Sequence, residues 1–146
     1  MVRVLLVALL SGLLPGEGDG QVVPPGVCVL ANLNGDVPVP DLETVRRVFL
    51  LRQRFWPDGS AAHPVNLPAS SELREAFSVA AFGQAVRDMA AYWIERYFHG
   101  TRPPPTLASE AAVLLFLERT PGGVGYVSEA MAADLPPGVR SLLCLR

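Results

Sequence analysis

The 146-residue sequence contains no lysine: all twelve of its cationic residues are arginine, set against fourteen acidic ones for a net charge of −2. So even a balance excludes the basic footprint of a nucleic-acid binder and the cationic face that seeks anionic lipid. Exclusive use of arginine, beside abundant Ala, Pro and Gly, reads as codon bias rather than a binding signal. Histidine and cysteine are scarce, two of each, and they form no ligand spacing, so neither a metal site nor a cofactor is expected. No nucleophile elbow, glycine-rich phosphate loop or HExxH pattern occurs, so the chain is expected not to be an enzyme. No apolar run reaches the roughly 20 residues needed to cross a bilayer, and no membrane span is expected in the mature chain.

What the sequence does have is apolar mass. Half of its residues are hydrophobic and 18% are charged, enough for one compact domain and too little for two. Fourteen prolines and thirteen glycines fall between periodic segments, which argues for short loops rather than disorder. The opening "MVRVLLVALLSGLLPGEGDGQ" has the plan of a secretory signal: Arg3, an uncharged apolar core over 4–14, then Gly18 and Gly20 as a small-x-small cleavage site before Gln21. The expected division is a signal peptide over 1–20 and a single domain over 21–146, periplasmic or secreted. The alternative is a buried N-terminal strand or helix.

The two cysteines, Cys28 and Cys144, sit in strand-like runs near the two ends of the mature chain. An exported protein permits one bridge between them, and closing so long a loop contributes about 4–5 kcal/mol in the entropy model. Two buried thiols that never meet are the other possibility. Sequence alone does not place the strands side by side.

Periodicity gives the order β-α-β-α-α-α-β-β, an α/β layering with about four helices over a small sheet. "VCVLANL" reads as a buried strand. Asp41 caps "LETVRRVFLL", whose Leu42, Val45, Val48 and Phe49 share a face opposite Arg46 and Arg47. The turn "RFWPDGS" aims the chain back, with Trp56 packing it down, into "AAHPVNL", a short strand that Pro64 assigns to an edge or a strand start. Ser71 caps the next helix, with Leu73, Phe77 and Ala80 or Ala81 inward, and Gly83 breaks it. "AVRDMAAYWIERYF" is the clearest helix, with Trp93 and Tyr97 expected in the core. Ser109 caps "EAAVLLFLERT", and "GGVGYVS" and "VRSLLCLR" are the last strands. His63 and His99 read as surface or capping residues. Arg46, Arg47, Arg52 and Arg54 form a solvated basic cluster, or a docking face for an acidic partner.

Five stretches in register resemble a known family: "VLANLN", "LETVRRVFLLRQRFWPDG", "PVNLPASSELREAF", "YWIERYFHG" and "ERTPGGVGYVS". Together the sequence resembles one lobe of the phosphate-type periplasmic solute-binding proteins, the substrate-binding subunits of ABC importers with the type II binding-protein fold. That resemblance implies a non-enzymatic binding protein associated with phosphate uptake. Full-length members have two lobes with ligand in the cleft between them, and only the second lobe has a counterpart here. In the family the loop before the capped helix reads arginine, three residues, then serine-glycine-threonine. Carried over, these fall on Asn66, Ser70, Ser71 and Glu72: one serine is kept, the cation is lost, and a carboxylate replaces a hydroxyl.

The candidate site is therefore Asn66, Ser70 and Ser71, half of an anion site built on hydroxyls and the free N–H groups of a helix start. Capping alone, at about 1 kcal/mol, accounts for both serines without a ligand. The implied partner is phosphate or another small anion, held weakly. The alternative is an envelope structural or interaction module that kept the lobe fold, docks an envelope protein and binds no small ligand.

Overall fold

The computed structural model describes residues 24–146, so the expected signal peptide and its cleavage site lie outside the described residues. Four strands form one mixed sheet in the order β2-β3-β1-β4: β1 is Val27–Ala31, β2 His63–Pro64, β3 Gly123–Ser128 and β4 Arg140–Leu145. Four helices complete the α/β architecture: α1 Leu42–Phe49, α2 Glu72–Phe82, α3 Ala90–Phe98 and α4 Glu110–Arg119. β1 runs antiparallel to both β3 and β4, and β2 runs parallel to β3. β1 is central in the sheet and buried on both faces along its whole length, which is why "VCVLA" is an unbroken apolar run rather than an alternating one.

The helices start where side chains can satisfy their first N–H groups. Asp41 Oδ1 accepts from the Thr44 N–H at 2.8 Å, and these Thr44 hydrogen bonds hold the Asp41 carboxyl below the usual carboxylate range. Ser109 Oγ accepts from the Ala112 N–H at 3.1 Å and Ser71 Oγ from the Arg74 N–H at 3.4 Å. Gly83 ends α2 in the left-handed conformation at φ 69°, which costs glycine little. α1, α2 and β3 meet in an aromatic cluster in which Phe77 stacks on Tyr126 at 4.0 Å between ring centroids and lies 4.8 Å from Phe49.

Pro64 lies on an edge, as its missing N–H requires. The N–H groups of His63 and Val65 on either side of it donate to Gly122 O at 3.0 Å and Val124 O at 2.9 Å. Gly122 is a junction: its N–H donates to Asn32 O at 2.7 Å, and its carbonyl also accepts the Trp56 indole N–H at 2.9 Å. Its φ is +80°, and a Cβ there would overlap the Ala61 carbonyl, so only glycine fits. Trp56, 2% exposed, thus pins the turn before β2 to the turn before β3. Trp56→Phe is expected to lower stability by about 1–2 kcal/mol, from one lost hydrogen bond and a small void, measured as a shift in urea midpoint. An unchanged midpoint would show that this bond does not tie the two turns together.

α3 departs from its expected place. The pattern over 85–98 opens as a 3-10 turn, Val86–Met89, and becomes α-helical only at Ala90. No residue of α3 is buried; Trp93 is half-buried, and Ile94, Tyr97 and Phe98 are 58%, 59% and 81% exposed. Polar bonds tether the helix instead: Tyr92 Oη donates to Leu50 O at 2.6 Å and Arg96 Nη2 to Leu51 O at 3.2 Å. Its periodicity is real, but its apolar stripe lies at the periphery, where helical spacing cannot say what covers it.

Candidate functional site

Beyond Pro64 the backbone stays extended as far as Asn66, whose N–H donates to Pro105 O and whose carbonyl accepts from the Leu107 N–H, both at 2.8 Å. These two bonds pull residues 105–107 alongside the corner and set Ser109, the cap of α4, next to Ser71, the cap of α2. The two helix starts share a depression of about 280 Å³ lined by Leu67, Pro68, Ser70, Ser71, Ala108, Ser109 and Glu110. Ser70 and Ser71 therefore lie together with a third hydroxyl that the sequence pattern did not join to them. Helix N-termini carry about half a positive charge each and N–H groups without intrahelical acceptors, so the depression offers donors from two directions.

Carboxylates offset that field. Glu110 lines the depression while its Oε1 accepts the Ser128 N–H at 2.6 Å, which ties α4 to the end of β3. Glu72 is exposed at the first residue of α2, and Glu75 Oε2, in the same turn, accepts the Val86 N–H at 2.9 Å. Acids in a first turn stabilise the helix for the reason that an anion would, and so they compete with one.

Asn66 does not line this depression. The residue is 8% exposed, with Oδ1 3.1 Å from the Tyr126 hydroxyl, which itself accepts the Leu67 N–H at 3.2 Å. Burial pushes the Tyr126 phenol up to about 12, so it remains a neutral donor. Asn66 instead lines a small, partly open pocket with Arg74, whose Nη1 donates to Leu67 O at 2.8 Å. Arg74 is the cation that motif reasoning missed. A trace of it is visible in the sequence: it stands third in α2, where the helix field disfavours a positive charge, so its side chain needs another reason to be there.

The other polar candidates are engaged locally. Arg46 donates to Ala81 O and pairs with Glu43, Arg47 bonds Gln53 and Thr44, and Arg52 lies over the Tyr92 ring at 5.4 Å. His99 Nδ1 sits 2.8 Å from Glu95 O at the end of α3. Cys28 and Cys144 face each other across β1 and β4, with Cα atoms 4.0 Å apart and the sulfurs bonded at 2.02 Å. Among the described residues no three His, Cys, Asp or Glu side chains are grouped to hold a metal, and no helix is long and apolar enough to cross a membrane.

No family model matches the chain. No curated protein matches it by sequence. Solved structures do match. An ABC-type phosphate transport receptor from Vibrio cholerae aligns over 81% of this chain with a TM-score of 0.58 and 15% identity. A Clostridium perfringens protein assigned as a phosphate ABC transporter substrate-binding protein, solved with bound phosphate, aligns over 81% with a TM-score of 0.61 and 13% identity. The chain spans 45% and 44% of those two proteins, less than half of either. Its four-stranded mixed sheet and four helices have the fold of one lobe of a phosphate ABC transporter substrate-binding protein.

Proposed function

We propose that the chain is a periplasmic or secreted, non-enzymatic solute-binding-protein-like domain associated with phosphate ABC transport, whose own anion site is degenerate. The observation that carries this reading is the depression shared by the starts of α2 and α4, with Ser70, Ser71 and Ser109 on a lobe of this fold. Degeneracy rests on Glu110 at its wall, on Glu72 and on the inward turn of Asn66. A bond between Cys28 and Cys144 suits an oxidising compartment and supports export. The structural neighbours are transport binding proteins, which supports a role without catalysis.

Half a site open to water cannot exclude competition for its donors. Isothermal calorimetry of the purified chain from residue 21 onward is expected to show phosphate binding no tighter than about millimolar, roughly −4 kcal/mol, with sulfate no better. Micromolar binding would mean that the site is intact and that the carboxylates are turned to another use.

The outward face of α3 favours a second reading. Ile94, Tyr97 and Phe98 are large, adjacent and exposed, as they would be on an envelope module that docks another protein and has given up the small ligand. Calorimetry without heat for any anion, together with loss of an envelope partner on Phe98→Ser, would favour that reading over the first.

A further inference from the structure

Successive side chains of β3 point to opposite faces of the sheet, and each face has its own helices. Tyr126 meets Phe49 of α1 and Phe77 of α2, whereas a Cβ on Gly123 or Gly125 would meet Leu117 or Val113 of α4. α3 belongs to the first layer, since Trp93 shares a pocket with Phe49 and Phe77. Each layer carries an apolar surface outside the core, and the two differ in shape and in the sign of their charge.

On α3 the surface is a ridge: Ile94, Tyr97 and Phe98 stand out into solvent. Arg87 lies two turns before Ile94 on the same line, with its side chain 88% exposed and Asp88 at 3.7 Å. Arg102 shares a depression with Tyr97 and Phe98 just past the helix end. The acids of this segment, Asp88 and Glu95, stand about 100–120° round the helix from Ile94. On the other layer the surface is a groove of about 500 Å³ between α4 and the segment 131–137. Leu114, Leu115, Met131 and Leu135 line it, and its charged residues are two exposed acids, Glu118 and Asp134, which no described ion pair uses.

A second α3 is a poor cover for the ridge. Antiparallel packing about Ile94 would set Arg87 beside Arg102 of the other copy, and parallel packing would set each arginine beside its own counterpart. The groove supplies apolar cover with carboxylates in place of arginines. One chain cannot bring its own ridge and groove together, because the sheet stands between them, but two copies can. We infer that the α3 ridge of one copy docks into the α4 groove of another, a head-to-tail contact that repeats into a ring or an open chain. This pairing rests on the same α3 face as the second functional reading, and not on anion binding.

Sedimentation velocity of the purified protein in about 50 mM salt should show the average mass rising past that of a dimer above about 100 µM, and falling back in about 500 mM salt, where exposed charges are screened. Phe98→Ser should weaken association at least about tenfold, and so should Glu118→Arg with Asp134→Arg. All three positions are exposed, and Leu115→Ser is the second groove variant should the charge reversal disturb α4. Mixed in equal amounts, the ridge and groove variants should form a one-to-one dimer and nothing larger, since one keeps an intact groove and the other an intact ridge. A mixture that stays monomeric, or a groove variant that associates like wild type, overturns the contact. Wild type that stays monomeric while Phe98→Ser loses an envelope partner overturns it too, and leaves the second functional reading standing.

Discussion

Replacing Cys28 and Cys144 together by alanine is expected to lower stability by about 5 kcal/mol and the Tm by roughly 15 °C. The bond closes a loop with a sequence separation of 116, so cutting it returns a large closure entropy to the unfolded chain. It also ties an edge strand to the centre of the sheet. Among the described residues β4 is an edge strand paired with β1 alone, and the register between them shifts after Val29, leaving Leu142 as an extra residue in β4. Alanine suits the test because Cys28 is buried and a serine hydroxyl there would add a separate desolvation cost. Wild type melted in strong reductant should match the double variant. Protein from an oxidising compartment should show no free thiol until it is denatured and reduced. A double variant melting within about 3 °C of wild type would show that the closure entropy is not realised in this fold.

The parts of this fold that are legible in the sequence are those decided by near neighbours. Asp41, Ser71 and Ser109 announce helix starts because a capping oxygen and the N–H it serves lie three residues apart. Gly83 and Pro64 announce an ending and an edge because one residue's backbone limits suffice. Element order and the α/β layering follow from the same local periodicities. What is not legible depends on meetings between distant segments. That α4 starts beside α2 is set by two backbone bonds from Asn66 to residues 105–107, which no side-chain pattern records. Tyr97 has the spacing of a core residue but faces outward, since spacing defines a stripe and not its cover. The direction of Asn66 is decided by a tyrosine hydroxyl 60 residues away, so the carried-over motif gave its position and not its aim.

That direction bears on what an arginine placed at Asn66, as the resemblance implies for an anion corner, would do. In the family's motif the position of Asn66 holds an arginine, and a restored site would be the simple expectation. The structure argues for the opposite: Asn66→Arg is expected to destabilise the protein by about 3–5 kcal/mol and lower the Tm by more than about 10 °C. The new side chain would start from a buried position, at a cavity of about 20 Å³ that already has the Arg74 guanidinium on its wall and no carboxylate. Its length exceeds the space, and its charge would start beside a like charge. It would also remove the acceptor of the Tyr126 proton, leaving that buried hydroxyl unmatched. Thermal melts of wild type, Asn66→Arg and the double variant Asn66→Arg/Arg74→Met separate these causes. If like-charge crowding dominates, removing Arg74 recovers much of the loss; if the Tyr126 bond dominates, it recovers little. An Asn66→Arg protein that melts like wild type and binds phosphate at least tenfold more tightly would mean that the arginine escapes the interior and reaches the depression between α2 and α4. The corner would then lack nothing but its cation.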